Sequence, residues 1–500
     1  MPVLVGLDIG TTSTIGVLIR PDGATLATES RPVHLHADRP GWAEEEPEEW
    51  WANACAILRL LAARAADAGH PIAAVGVTGM LPAVVLLDAD GRPIRRSIQQ
   101  SDARAFVEVE EMRRSVDAAA FFARTGCGIN QQLVAPTLRW LARHEPGTMA
   151  RVATVLGSYD FVTGRLAGVR TVELNWALES GLMLLGERRF ADDLLALGGV
   201  TRAQLPDIRA AHDVVGTVTA SAAAATGLRE GTPVIAGVAD HAASTFAAGV
   251  VEEGDVLLKF GGSGDIMVAT RAPVGDARLY NDVHVVPGLF MPNGCMAASG
   301  AALNWLAATI AAGLPCGEGQ TVHQALDALA AATPPGADGL VFLPYLLGEK
   351  TPLHDPEARG VLLGLGLHHR TGHLWRAALE GIAFGFRHHL QVFAEAGLRA
   401  ERFRASDGGA RSRVWMQIVA DVIQRPIQLL EGHPGSALGA AFVAGIAVGV
   451  FDGWDQVARF VRPGDTIRPD PRTASTYDRL YGVYREAYER LRTLFPRLAG

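Results

Sequence analysis

Cysteine is scarce in this chain and lysine nearly absent. Four cysteines, Cys55, Cys127, Cys295 and Cys316, are spread over 500 residues with no C-x-x-C pair and no zinc-ligand spacing. That excludes a disulfide scaffold and a conventional structural zinc site, and the four are expected as small buried residues in a reducing cytoplasm. Only two of the 45 basic residues are lysines, Lys259 and Lys350, so a mechanism needing a catalytic lysine has two candidates. Net positive charge is missing too. A formal charge of −8 leaves no electrostatic footprint for nucleic acid or an anionic membrane. The longest uncharged apolar run, 437–451, is glycine-rich and shorter than the ~20 residues a bilayer requires. The amino terminus meets Asp8 too early for a secretory signal. The expectation is a cytoplasmic protein with a small-molecule partner, no nucleic acid and no membrane, and with a homodimer as an admissible assembly.

What is present is a globular profile: 49% hydrophobic and 20% charged residues, with 56 glycines and 27 prolines. Single cores stop growing at roughly 250 to 300 residues, so two domains are expected. Strand-like runs at 3–7, 14–19 and 24–28 precede a helical stretch from Pro47 to about residue 68, then strands at 72–77 and 83–87. Pro47 suits a helix start, where its missing N–H is no loss. Helices dominate 103–197, and a strand at 233–237 leads into Asp240. This is an α/β pattern with a mixed sheet. A second strand, Gly/Ser turn and strand follow at 255–269 (DVLLKFGGSGDIMVA) and repeat the plan of the opening segment. An internal duplication is expected, with domains at 1–247 and 248–500 forming two lobes around a cleft.

Four stretches carry chemistry. In Asp8-Ile-Gly10-Thr11-Thr12-Ser13, Gly10 permits positive φ, so successive N–H groups could form an anion-binding nest. A carboxylate beside phosphate is favourable when Mg²⁺ lies between them. Gly261-Gly262-Ser263-Gly264 repeats the turn, and two such hairpins could clamp a polyphosphate. No Walker A sequence competes, because Gly348-Glu349-Lys350-Thr351 lacks a glycine directly before the lysine. Asp240, at a strand end before a small-residue helix, could take the proton of an attacking hydroxyl. Asp407-Gly408-Gly409-Ala410-Arg411-Ser412 opens a helix with little side chain, which suits a flat ring or ribose; Gly300 and Asn304 could line the same pocket. Taken singly, each also reads as a hairpin turn, a helix cap or a strand-to-helix turn. The pairs His368-His369 and His388-His389 lack metal-ligand geometry and are expected on a solvated helix face.

Together and in order, these residues resemble the FGGY carbohydrate kinases, in particular the xylulokinase-like branch. Asp8-x-Gly-Thr-Thr-Ser resembles the family's first phosphate loop, PGWAEEEPEEWW (40–51) its lead into a long helix, Gly237-x-x-Asp240 its catalytic aspartate, and Gly261-Gly-Ser263 its second phosphate loop. The stretches 344–360 (PYLLGEKTPLHDPEARG), 376–384 (RAALEGIAF), 407–421 and 437–441 match later family segments. The resemblance implies a two-lobed actin-like ATPase (ribonuclease H-like) fold with duplicated mixed-sheet domains. The N-terminal one would bind sugar and the C-terminal one adenosine. It implies ATP-dependent phosphorylation of a ketopentose such as D-xylulose, giving D-xylulose 5-phosphate. Asp240 would be the general base, and Asp8 with Asp240 would hold Mg²⁺. ATP would lie on Gly10, Thr11, Thr12, Gly261, Gly262, Ser263, Gly300, Asn304, Gly408, Gly409, Ala410 and Ser412. Met80, Leu81, Asp102, Asp240 and His241 would face the substrate. Several positions depart from the pattern. Met80-Leu81-Pro82-Ala83 stands where xylulokinases usually have Gln-Met-His-Gly, His241 where Asn or Gln is usual, Gln100 where Trp often stands, and Ile15 where many relatives have Lys or Arg. Another pentulose, an erythritol-like polyol or an aldonate is therefore an alternative acceptor. Outside catalysis stand an actin-like nucleotide-dependent chaperone and a non-catalytic sugar-binding regulator.

Overall fold

Apolar runs of β-branched residues become strands, and the first of them sets up everything that follows. A computed structural model describes residues 1–498, which divide into two units. The first comprises Met1–Val251, Asn281–Phe290 and Pro434–Val461. The second comprises Glu252–Tyr280, Met291–His433 and the chain from Arg462 onward.

In the first unit, strands β1 (Val3–Ile9), β2 (Ser13–Ile19) and β3 (Thr25–Pro32) form an antiparallel meander. Helix α1 (Pro47–Asp67) begins at the proline, as expected, and buries Trp50, Ile57, Leu58 and Leu61. It leads into β4 (Ile72–Gly79), which pairs parallel with β1. Helices α2 (Ser158–Ala167) and α3 (Leu174–Glu179) follow in the helical middle of the unit. Strands β5 (Val214–Thr217), β6 (Pro233–Ile235) and β7 (Val238–Ala239) complete a sheet of order β5-β6-β4-β1-β2-β3, with β7 also pairing parallel to β4. Helix α4 (Asp240–Ala247) starts where β7 ends.

The second unit repeats the scheme. Strands β8 (Asp255–Phe260), β9 (Gly264–Val268) and β10 (Asn293–Met296) form an antiparallel meander. After helices α5 (Gly300–Ile310) and α6 (Thr371–Glu395), strand β11 (Arg402–Ser406) pairs parallel with β8. Helix α7 (Arg413–Ile423) is followed by β12 (Ile427–Leu430), parallel to β11. The sheet order is β10-β9-β8-β11-β12-β13, with β13 (Pro463–Ile467) antiparallel at the edge. Pairing directions match the first sheet strand for strand, so the expected duplication is present in the backbone.

Helix α8 (Ser436–Ala447) belongs to the first unit and lies over β1 and β4 at backbone range. A Cβ on Gly76 would stand 2.2 Å from the Ala440 carbonyl oxygen, so no side chain fits between strand and helix there. This is the apolar run 437–451, a buried helix as expected. No helix among the described residues is long and apolar enough to cross a membrane.

Two expectations are corrected here. His388 and His389 are not solvated: they are 4% and 0% exposed inside α6. His389 shares a 2.9 Å hydrogen bond with the Thr351 hydroxyl, and burial pushes its ring down to about 4. The hydrophobic core around Phe386, Val392 and Phe393 encloses this part of α6. Of the cysteines, Cys55 and Cys127 are buried, but Cys295 is half-buried and Cys316 exposed.

Candidate active site

Strand register fixes one edge of the first unit's sheet. Asp8 on β1 pairs with Thr78 on β4, and Thr78 pairs in turn with Val238 on β7. Asp240, two residues past Val238, therefore leaves the same carboxyl edge as Asp8. Between β6 and β7 the chain bends through Gly237 at φ 108°, where a Cβ would lie 2.8 Å from the Tyr159 ring. Only glycine satisfies both the left-handed backbone and that approach. Asp8 accepts a 2.5 Å hydrogen bond on Oδ2 from the hydroxyl of Ser436, the first residue of α8.

The hairpin after Asp8 is not the nest expected. Gly10 lies outside the left-handed region, and its N–H closes the turn by donating to the Ser13 carbonyl at 3.1 Å. A Cβ there would sit a tight 3.0 Å from that same oxygen, which favours glycine. Thr11 is half-buried and Thr12 exposed.

Asp240 opens α4 with an asymmetric carboxylate. Its Oδ1 accepts from the His241 backbone N–H at 2.6 Å and lies 3.4 Å from the His241 ring Nδ1. The other ring nitrogen, Nε2, is 2.9 Å from Asp282 Oδ2 and 4.0 Å from Glu179 Oε1. Nδ1 is within hydrogen-bond reach of Asp240, while the Nε2–Asp282 contact is an ion-pair approach without hydrogen-bond alignment; carboxylate oxygens at both ring nitrogens favour the imidazolium. Burial opposes that charge, but Asp282, the hydrogen bonds and Glu179 outweigh it and hold the ring well above the usual imidazole range. Burial and then Asp282 push the Glu179 carboxyl well above the usual range. Glu179, His241 and Asp282 bring ligand atoms within 4.8 Å of one another, a donor set that could hold a metal ion. Behind them Glu173 accepts from the Tyr159 hydroxyl at 2.9 Å, and burial pushes its carboxyl up to about 7.

Met80 and Leu81 are 1% and 4% exposed. The Met80 backbone is tied down on both sides, donating to Ile9 O at 3.1 Å and accepting from the Ser158 hydroxyl at 2.8 Å. Asp102 is committed within the chain. Oδ2 accepts from Ala43 N–H at 2.6 Å and from Arg104 Nη2 at 2.7 Å, and Oδ1 accepts from Arg104 N and Nε.

In the second unit, the hairpin Gly261–Ser263 turns its carbonyls to the start of α5. Gly300 N–H donates to Gly261 O at 3.0 Å, and Ser299 and Ala301 N–H donate to Gly262 O. A Cβ on Gly300 would lie 2.5 Å from Gly261 O, so that glycine seats the helix on the hairpin. Ser263 Oγ donates to Asp265 at 3.1 Å, and Asn304 is exposed on α5. Gly408 has open space where a Cβ would be, whereas Gly409 packs against Trp415 and Phe260, and Ala410 is buried. Ser412 caps α7, accepting from Trp415 N–H at 3.1 Å while donating to Asp327 at 2.7 Å.

Residues 3–247 match the N-terminal domain and residues 256–448 the C-terminal domain of the FGGY family of carbohydrate kinases. This chain belongs to that family. It is thus a carbohydrate kinase, a phosphotransferase with an alcohol group as acceptor, on the actin-like ATPase fold that its two matching sheets describe. A crystal structure of xylulose kinase from Rhodospirillum rubrum is 53% identical, with a TM-score of 0.94 over 99% of each chain. Xylulose kinase of Bacillus subtilis (strain 168) is 29% identical over 99% of this chain and 98% of its own. L-xylulose/3-keto-L-gulonate kinase of Escherichia coli (strain K12) is 28% identical over 99% and 98%. Glu179, Asp282 and Ser436 were not readable as site residues in this FGGY sequence. Each reaches its neighbour through tertiary folding, and no local motif marks them.

Proposed function

We propose that this FGGY kinase transfers the γ-phosphate of ATP to a hydroxyl of a ketopentose, D-xylulose or a close relative. The 53% identity to a xylulose kinase over 99% of both chains carries this reading. Asp240 is its general base: Oδ1 is anchored by the His241 N–H, which leaves Oδ2 to accept the proton of the attacking hydroxyl. In phosphoryl transfer the remaining work is positioning and charge neutralisation. In the first unit Thr11 and Thr12 beside Asp8 are the phosphate-contacting residues of this reading; in the second, the Gly261–Ser263 hairpin has that role and Gly408 offers open surface for adenosine. Asp8 and Asp240 form an oxygen-donor set of the kind Mg²⁺ accepts together with phosphate oxygens. When bound, that ion neutralises phosphate charge. Residues 1–247 then serve as the sugar-binding domain and 248–500 as the nucleotide-binding domain, in a cytoplasmic setting.

A second acceptor class has its own support. Met80 and Leu81 present no polar group to a sugar, and His241 is held by carboxylates on both sides, so a different pentulose, a polyol or an aldonate competes with D-xylulose. ADP release measured across D-xylulose, L-xylulose, other pentuloses, polyols and aldonates separates these. Sugar-dependent ADP release is expected, falling by roughly 100- to 10,000-fold in Asp240→Asn, the range of general-base contributions. No acceptor raising ADP release above background would sink the proposal, and an unimpaired variant would remove Asp240 from its role.

A further inference from the structure

We propose that Asp282, acting through His241, is a positioning residue that decides which oxygen of Asp240 faces the acceptor hydroxyl. The inference rests on the reading of Asp240 as proton acceptor, and it starts from an unusual chain path. Asn281–Phe290 belongs to the first unit although the chain on both sides of it belongs to the second. This short return is clamped. Asn175 on α3 pairs both ways with Val283, donating to its carbonyl at 2.9 Å and accepting from its N–H at 2.7 Å. Asn281 donates to Gly126 O at 3.0 Å. Between these anchors Asp282 is 3% exposed, with Oδ2 2.9 Å from His241 Nε2.

The ring thus bridges two carboxylates, the buried one of the clamped return and the half-buried one at the start of α4. The rigid side fixes the ring, and the ring, together with the backbone N–H of the same residue, holds Asp240 Oδ1. Oδ2 carries no such bond and is the oxygen left for chemistry. A carboxylate free to rotate about its last torsion would present either oxygen. Misplacement of a reacting group by about 1 Å can cost about a hundredfold in rate. A buried ion pair is weak evidence for stability on its own, and positioning explains why this one joins two segments distant in sequence.

The test is a kinetic cycle on the whole enzyme with ATP and its best acceptor. Asp282→Asn should lower kcat by roughly 10- to 100-fold while the sugar KM stays within about threefold. Asp282→Glu, which keeps the carboxylate, should recover part of the loss. His241→Asn should lose kcat similarly, and the double variant should be no worse than His241→Asn alone. Wild-type kcat in Asp282→Asn, or losses that multiply in the double variant, would overturn the proposal. A loss appearing in KM alone would do the same, since it would make the pair a substrate contact. Thermal melts identify any variant that fails to fold. Should Asp282→Asn be one, His241→Gln decides, with unchanged kcat counting against the proposal. Wild-type turnover separates the two layers. If the wild type phosphorylates a sugar and Asp282→Asn matches it, only the positioning role falls; if no acceptor is turned over, the kinase reading falls and the positioning role with it.

Discussion

Arg104 shows how much a single side chain can carry in this FGGY kinase. Its guanidinium lies 3.7 Å over the Trp42 ring and 5.1 Å from the Trp140 ring, and makes contacts of 2.7 Å with both Asp102 and Glu44. With its side chain only 1% exposed, Arg104→Ala leaves the nearly buried Asp102 without its cation and Glu44 with Arg95 alone. Such a loss costs about 3–5 kcal/mol. Arg104→Lys should recover only part, because an ammonium cannot reproduce the planar fork or the stacking. Thermal unfolding followed by tryptophan fluorescence checks both, and an Arg104→Ala midpoint equal to wild type would refute the account. Asp102 also marks the limit of sequence reading at this scale. Asp102 was legible only as a substrate-facing candidate, and the Ala43 N–H that completes its coordination comes from a distant loop. The same holds for His388 and His389, whose type and spacing said nothing of the core closing over them. Asp8 and Asp240 were legible because strand ends and small-residue turns are local features.

At the scale of elements, strands and turns could be read because alternation and β-branching act over a few residues. The matching strand orders confirm a duplication visible in two strand-turn-strand segments. Two features were hidden: Asn281–Phe290 and Pro434–Val461 rejoin the first unit, a choice made by packing surfaces and not by local propensity. The second return brings α8 against the sheet, and there the glycines are spacers. In Gly76→Ala the new methyl would stand 2.2 Å from Ala440 O, so helix or strand must move. Overpacking of this kind costs about 1–3 kcal/mol or more. A shifted α8 also carries Ser436 away from Asp8. The expected outcome is a lower melting midpoint together with reduced turnover. A stable variant with normal turnover would mean that α8 tolerates displacement without disturbing Asp8.

For the whole molecule, buried carboxyls and surface ion pairs set opposite pH limits on stability. Burial pushes Glu349 from an ordinary 4.5 up to about 8, and Glu45 and Glu173 up to about 7. Glu349 accepts backbone N–H bonds from Ala297 and Lys350, and Glu45 accepts from the Trp50 indole, yet desolvation prevails in both. With folded-state values raised, the folded protein binds protons that the unfolded chain has already released. Stability is therefore full below about pH 4.5 as far as these groups go, and falls as pH rises toward 8. Carboxylates paired with arginine act the other way. Asp276 beside Arg278 and Glu111 beside Arg143 are held below their ordinary values, so their contribution is lost as pH falls through the acid range. Buried His388 and His389, whose rings burial pushes down to about 2 and about 4, act in the same direction below about pH 6.5. The melting midpoint should peak at about pH 6 to 7 and decline toward pH 9. Each pH unit of displacement corresponds to about 1.4 kcal/mol, so Glu349 contributes more than Glu45 or Glu173. Glu349→Gln keeps the shape and an acceptor oxygen for the two N–H groups but cannot ionise. Melting curves across pH 4 to 9 should show the variant flatter than wild type between pH 5 and 8, with its advantage greatest at the alkaline end. A wild-type midpoint that rises from pH 7 to 8, or a variant no flatter than wild type there, would mean these carboxyls ionise within the fold, and the assignment of Glu349 as a held proton would be wrong.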